Sequence, residues 1–295
     1  MSELTLATRR SPLALAQSEQ IAARLRALGH EVRLLPLVTS GDRWSQGLGG
    51  ATKGLFVKEL EEALIDGRAD IAVHSAKDLP GDLAPGLAIV AVPGREDPRD
   101  VFVGPPGGLE ALPPGATVGT GSPRRSAQLR LLRPDVEAVP IRGNVDTRLR
   151  KLGEGQVDAL VLAAAGLARL GLAPEGAVPL PVEACVPAPG QGLLAIEGRA
   201  GRDELAAALA PLHDDVAGAC LAAERALLAA LGGGCMAPVG ALCEPAGDGT
   251  LRLVAFAASE DGGRTGRAEA EGHLADPASL AGTVAARLRA AGAAA

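Results

Sequence analysis

The sequence predicts an α/β protein in which two sheet-and-helix units are followed by a smaller α+β unit, and three observations carry that expectation. From residue 4 to residue 172, apolar runs of strand length alternate with segments of helical periodicity. One opening occurs twice: a strand that runs into a Ser-Pro helix start with an arginine pair beside it, at "LTLATRRSP" and again at "TVGTGSPRRS". The pattern then changes to three strand-like runs and an alanine-rich helix, which suits an antiparallel sheet covered by helices.

The elements justify this in order. "LTLAT" (4–8) is a short strand, and Ser11 as N-cap with Pro12 at the first helical position starts a helix whose apolar positions are Leu15, Ile21, Leu25 and Leu28. The strand "EVRLLPLV" (31–38) follows, then a polar, glycine-rich loop from Thr39 to Thr52 that reads as mobile. A helix over "FVKELEEALIDG" and strands at "DIAVH" (70–74) and "LAIVAV" (87–92) complete the first unit. The second runs from "TVGTG" (117–121) through the Ser122-Pro123 helix start, "VEAVPI" (136–141), "NVDTRLRKLGEG" and "VDALVLAAAGLARLGL". Two such units facing each other across a cleft give an architecture like that of the periplasmic binding proteins, with ligands held where strand ends meet. A helical run at 214–231 and the strand-like stretches "PVGALCE", "LRLVAFAAS" and "RTGRAEAEGH" form the third unit, closed by a helix from Pro277.

Composition excludes several functions. With 47% apolar and 22% charged residues and no apolar run of bilayer length, the 295-residue chain reads as soluble, and its start "MSELTLATRR" lacks signal or transit character, so a cytoplasmic protein is expected. A net charge of −6 argues against a general nucleic-acid binder. The basic residues nevertheless gather in "TRRS", "SPRRS" and "RGNVDTRLRK", a pattern that suits a discrete anionic ligand; for any one cluster the plainer account is a solvated helix face. Helix N-termini at two of these clusters present unpaired N–H groups to an anion. Only four lysines occur, three of them in "TKGLFVKEL" and "HSAKDLP", and the single asparagine, Asn144, lies in "RGNVDTR".

Cys185, Cys220, Cys235 and Cys243 form no CxxC pair and no cluster with histidine, so neither a metal site nor a disulfide framework is expected. Cys235 differs from the others because three glycines lead into it, in "LGGGCMAP". A thiol presented on bare backbone suggests a bulky group that is attached to it or approaches it closely.

In order along the chain, "ATRRSPLALAQ", "TKGLFVKELEEAL", "DIAVHSAKDLP", "REDPRDVFV", "VGTGSPRRSAQL", "IRGNVDTRL", "AAAGLARLGL", "APGQGLLAIE" and "LGGGCMAPVGA" resemble the porphobilinogen deaminases, also called hydroxymethylbilane synthases. The match runs from about residue 4 to about residue 243. The resemblance implies a transferase of tetrapyrrole biosynthesis that joins four porphobilinogens, with loss of ammonia, onto a covalent dipyrromethane primer and releases hydroxymethylbilane. The expected domains are a first of 1–94 with 190–211, a second of 98–187 and a third of 214–295; a monomer is the default expectation, and composition and charge give no reason to expect a membrane or nucleic-acid partner.

By the same resemblance, Cys235 carries the dipyrromethane through a thioether and Asp78 is the catalytic carboxylate. Without the resemblance, Asp78 reads more simply as a turn or cap aspartate beside Pro80. Lys77, Thr120, Ser122, Arg124 and Arg125 match cofactor-binding positions. Arg9, Ser11, Arg142, Arg148 and Arg169 match positions for the acid arms of substrate and growing chain, Lys53 and Phe56 those of a lid, and Gln17 and Gln191 polar positions near the domain junction. The chemistry of the residues agrees, since arginine binds carboxylates bidentately without losing its proton and a fixed carboxylate stabilises positive charge on a pyrrole nitrogen. Two positions depart from the pattern: Gly49 stands where some relatives have a lysine, and Arg10 replaces an uncharged residue.

Two other functions fit part of the sequence. A non-catalytic anion-binding protein accounts for the arginines but not for the glycine-framed thiol or Asp78. A transferase using Cys235 as nucleophile needs a base, and His30, His74, His213 and His273 show no partner in sequence, although partners can meet in the fold.

Overall fold

The computed structural model describes residues 3–41, 57–232, 237–259 and 262–293. The chain begins with β1 (Glu3–Arg9), α1 (Pro12–Ala27), β2 (Glu31–Leu37), α2 (Lys58–Ile65), β3 (Ile71–Ser75) and β4 (Leu87–Ala91). It continues through β5 (Asp100–Val103), β6 (Thr117–Gly119), α3 (Pro123–Leu132), β7 (Glu137–Val139), α4 (Val145–Gly153), β8 (Ala159–Ala163), α5 (Ala164–Arg169) and β9 (Ala177–Pro179). Then follow β10 (Leu194–Arg199), α6 (Asp203–Leu209), α7 (Asp215–Ala230), β11 (Val239–Gly247), β12 (Thr250–Ala258), β13 (Thr265–His273) and α8 (Pro277–Ala290). The chain divides into two compact units, Met1–Arg95 with Leu193–Gly218, and Glu96–Gly192 with Ala219–Ala295.

In the first unit the sheet order is β2-β1-β3-β10-β4. β1 pairs in parallel with β2 and β3, whereas β10 runs antiparallel to both β3 and β4. The two faces of β1 explain its continuous apolar run. Leu4 and Leu6 pack with Ile21 and Leu25 of α1, while Ala7 packs with Leu60 and Leu64 of α2. Ser11 accepts a bond from Ala14 N and Pro12 occupies the first turn, so α1 starts where the Ser-Pro pair predicts.

The second unit repeats this topology as β7-β6-β8-β5-β9, with β6 parallel to β7 and β8, and β5 antiparallel to β8 and β9. Each five-stranded sheet is therefore a parallel βαβ start with one antiparallel strand inserted at the fourth position. The same unit contains the antiparallel sheet β11-β12-β13 and α8, whose shared core includes Leu251, Leu253, Val284 and Leu288. A smaller cluster of Ala127, Val186, Phe256 and Ala258 joins α3 to β12.

The strands β5, β9 and β10 and the helix α6 are absent from the reading by periodicity. Each is seven residues or fewer, and β5 and β10 are inserted into the sheets from distant sequence, which local periodicity does not record. Among the described residues no single helix is long and apolar enough to cross a membrane; the pair Asp203–Leu212 and Asp215–Ala230 reaches that composition only across a bend of 106°.

Candidate active site

At the end of β3 the chain tightens into a 3-10 turn, Ala76–Asp78. Both ends of the turn are anchored. Ala76 is buried and donates to Leu193 O at 3.0 Å, and Leu79 is buried and donates to Ala76 O at 3.2 Å. Lys77 and Asp78 remain half-buried between these anchors. No described residue makes a hydrogen bond or ion pair with the Asp78 carboxylate, so its lone pairs are available to a ligand. Ser75, just before the turn, is 2.8 Å from the amide nitrogen of buried Gln17 on α1. Thr8 and Ser18 bond at 2.7 Å beneath the α1 start, leaving Arg9 half-buried and Arg10 exposed beside Ser11.

Behind β3 lies a second acidic feature. His74 Nε2 is 2.9 Å from Glu197 Oε2, with both side chains buried between the sheet and α2. Glu61 of α2 accepts from Ala84 N at 3.1 Å; burial pushes its pKa up, and neighbouring Glu197 adds to that rise.

In the second unit, Ser122 caps α3 by accepting from Arg125 N, Pro123 fills the first turn, and Thr120 Oγ1 accepts from Ser122 N at 3.2 Å. A cavity of about 240 Å³ opens there, lined by Thr120, Ser122, Ser126 and Arg130 on one side and by Pro238 and Ser259 on the other. Pro238 stands three positions after Cys235 in the chain. Arg124 and Arg125 turn inward, with only 3% and 6% of their surface exposed. Asp100, fully buried at the start of β5, lies 2.7 Å from Arg124 Nη1 and 2.7 Å from Arg125 Nη2. Burial alone would raise the Asp100 pKa, but the two guanidinium groups outweigh it and hold the carboxyl far below the usual carboxylate range.

Gln191 joins this cluster, donating from Nε2 to Asp100 Oδ1 at 2.9 Å and to Pro98 O at 2.7 Å. Arg169, at the end of α5, donates to Gly192 O at 2.7 Å, which also accepts from Glu96 N at 3.1 Å. Its Nε is buried without a hydrogen bond among the described residues, and burial lowers its pKa against the opposing pull of Glu96. The "RGNVDTR" segment forms the entry to α4. Gly143 has φ of +116°, Arg148 Nε donates to its carbonyl at 2.8 Å, and Lys151 donates to Arg142 O at 3.2 Å. Arg142 is exposed and Arg148 half-buried.

The structure thus groups Arg9, Ser11, Gln17, Lys77 and Asp78 on the first unit, and Thr120, Ser122, Arg124, Arg125, Arg142, Arg148, Arg169 and Gln191 on the second. Lys53, Phe56, Gly49 and Cys235 lie outside the described residues. The other three cysteines are buried, and burial together with Asp100 pushes the Cys185 thiol up to about 12. Periodicity and motif reading missed two acidic residues. One is Asp100, whose signal was a charged residue opening the apolar run "DVFV". The other is Glu224 of α7, fully buried, which accepts from Gly190 N at 2.6 Å and from Cys243 N at 2.8 Å. Nothing in its setting, "AAERALLAA", distinguishes it from a solvated helix position.

A dipyrromethane bearing acetate and propionate arms fits the donor set of the second unit. The hydroxyls of Thr120 and Ser122 stand at a helix N-terminus, and the Nε–H of Arg124 is a buried donor lacking a hydrogen bond among the described residues. No group of three His, Cys, Asp or Glu side chains among the described residues is placed to hold a metal ion.

The chain matches two family models: the porphobilinogen deaminase dipyromethane cofactor binding domain over residues 4–207, and the porphobilinogen deaminase C-terminal domain over residues 219–290. The porphobilinogen deaminase of Thiobacillus denitrificans is 49% identical over 300 residues, covering 99% of this chain and 97% of the relative. That of Roseiflexus castenholzii is also 49% identical, with the same coverage, and that of Sorangium cellulosum is 51% identical, covering 91% of each chain. Among solved structures, the methionine binding protein MetQ is 14% identical with a TM-score of 0.44, over 70% of this chain and 89% of that one.

Proposed function

The chain belongs to the porphobilinogen deaminase family, and from that premise we propose which of its residues carry the deaminating polymerisation of porphobilinogen onto a dipyrromethane primer. The observation that supports the assignment best is the Ala76–Asp78 turn: a carboxylate held by buried residues on either side, yet free of any described protein partner. Loss of ammonia from porphobilinogen develops positive charge on its pyrrole nitrogen. A preorganised anion beside that nitrogen lowers the barrier without needing to reorganise. Asp78 is that anion in this proposal, with Gln17 and Ser75 orienting the turn and Lys77 meeting carboxylate arms.

The dipyrromethane group, when bound, supplies the nucleophilic pyrrole carbon onto which substrate units are joined. Cys235 is its proposed attachment point. The burial of Cys185, Cys220 and Cys243 supports this, because a thiol enclosed in a core is out of reach of an incoming pyrrole. Thr120, Ser122, Arg124 and Arg125 would hold its acid arms, with Arg9, Ser11, Arg142, Arg148, Arg169 and Gln191 serving substrate and growing chain, and Lys53 and Phe56 a lid. The proposal includes three domains, 1–94 with 190–211, 98–187 and 214–295, in a cytoplasmic monomer.

Intact mass spectrometry of the reduced protein tests the assignment. Wild-type chain should carry the added mass of two linked pyrrole units, and Cys235→Ser should lose both that mass and nearly all activity. An active chain of unmodified mass, or the pyrroles on another cysteine, overturns it.

A further inference from the structure

Asp100 opens β5 with none of its surface exposed, and its carboxylate collects bonds from four side chains, Arg124, Arg125, Gln191 and Cys185. Oδ1 accepts from Arg125 Nε at 3.1 Å, Arg125 Nη2 at 2.7 Å and Gln191 Nε2 at 2.9 Å, and Oδ2 accepts from Arg124 Nη1 at 2.7 Å. Cys185 Sγ lies 3.3 Å from Oδ2. We propose that Asp100 is a positioning residue for the primer: it fixes Arg124 and Arg125 beneath the α3 N-terminus and sets the single positive charge that their cluster offers to the primer's carboxylates. The inference rests on the function proposed above.

The two arginines are held differently. All three nitrogens of Arg125 are bonded to protein acceptors, two to Asp100 and Nη1 to Val161 O at 2.9 Å. Among the described residues Arg124 bonds only through Nη1, to Asp100 and to Val186 O at 2.7 Å, with a longer contact to Cys185, and its buried Nε has no hydrogen bond. Arg125 is therefore the more firmly held of the two, while Arg124 keeps a buried donor with no protein partner among the described residues. Two guanidinium groups against one carboxylate leave the cluster one net positive charge, buried where an uncompensated charge is strongly unfavourable. An acid arm of the primer supplies the missing counter-charge. Without Asp100 the cluster would contain two unbalanced cations and no common acceptor to align them, so the geometry and the charge of the primer's seat would fail together.

Three variants test this by intact mass and melting temperature on purified full-length protein. Asp100→Asn removes the charge. Asp100→Asn with Arg125→Leu restores the net charge of the cluster without restoring its geometry. Asp100→Glu keeps the charge and shifts it by a methylene. The expected result is a loss of at least about tenfold in the fraction of chains carrying the pyrrole mass for Asp100→Asn, the equivalent of losing one strong charge-assisted contact. In the double variant the melting temperature should recover while loading stays low, since Arg125 is lost with Asp100; Asp100→Glu, which keeps both arginines, separates positioning from a purely structural role by lowering loading at a near-native melting temperature. Where Asp100→Asn fails to accumulate folded, Asp100→Glu decides: lowered loading at a near-native melting temperature supports the role, and full loading overturns it. Folded Asp100→Asn or double variant with wild-type loading also overturns it. Wild-type protein lacking the added mass would instead defeat the functional reading, and this inference with it.

Discussion

Asp78 is half-buried on a turn whose neighbours Ala76 and Leu79 are buried, so replacing its carboxylate by an amide changes charge while leaving the backbone anchors intact. If its role is to face a developing pyrrolium, Asp78→Asn should lower kcat by about a hundredfold or more while KM moves little, because the charge matters most as the cation forms. Asp78→Glu should retain more activity than Asn and less than wild type. Steady-state kinetics after a check of native circular dichroism decides this, and an Asn variant with wild-type kcat would reduce Asp78 to a turn residue. The site was unevenly legible at this scale. Lys77, Asp78, Arg124 and Arg125 stood in conspicuous motifs, but nothing local says that Arg124 and Arg125 turn inward. That follows from Asp100, twenty-four positions before Arg124, and charge pairing over such a separation is invisible until the strands are assembled.

Helix starts are the best-marked elements in this sequence. Ser11-Pro12 and Ser122-Pro123 fall at the N-caps of α1 and α3, where the serine oxygen accepts a backbone N–H and proline occupies the first turn. α4 starts differently: Asn144 makes no side-chain cap bond, and the entry depends on Gly143 instead. At φ of +116°, a Cβ on Gly143 would lie 2.6 Å from Thr147 Cγ2, so both backbone conformation and space require glycine. Gly143→Ala should therefore destabilise the protein by more than about 1 kcal/mol, read as a lower denaturation midpoint at unchanged m-value. Because Arg148 Nε binds the Gly143 carbonyl, the substitution should also raise KM for porphobilinogen; a neutral outcome for both would show that the loop has another way to turn. The strands were less legible than the helices. β1, β3 and β8 announce themselves as apolar runs, whereas β9 has three residues and β10 reads as part of a glycine-rich motif until its antiparallel pairing with β3 is known.

At the scale of the whole molecule, the sequence predicts two repeats of one topology but not what ties the antiparallel sheet to the second of them. The structure supplies a specific tie within that unit. Arg267 on β13 donates to Glu183 O and, at 3.0 Å, to Ala184 O, and its guanidinium lies 6.0 Å from the Phe256 ring centroid. The same segment is held from the other side by Gln128 of α3, which donates to Val186 O at 3.0 Å and accepts from Val186 N at 2.7 Å. Residues 183–186 are thus gripped between α3, which carries Arg124 and Arg125, and the sheet whose first strand, β11, comes after Cys235 in the sequence. Arg267→Ala removes one side of that grip. Since Arg267 is exposed, the loss in global stability should be modest, about 1 kcal/mol. Amide exchange should respond more locally, with protection falling across residues 183–186 and 128 and little change in β1 to β4 of the other unit. If the segment gates the seat of the primer, the variant should also acquire the pyrrole mass more slowly than wild type at equal folded yield. Unchanged exchange at 183–186 would show that the apolar cluster of Ala127, Val186, Phe256 and Ala258 holds α3 to β12 without help from Arg267.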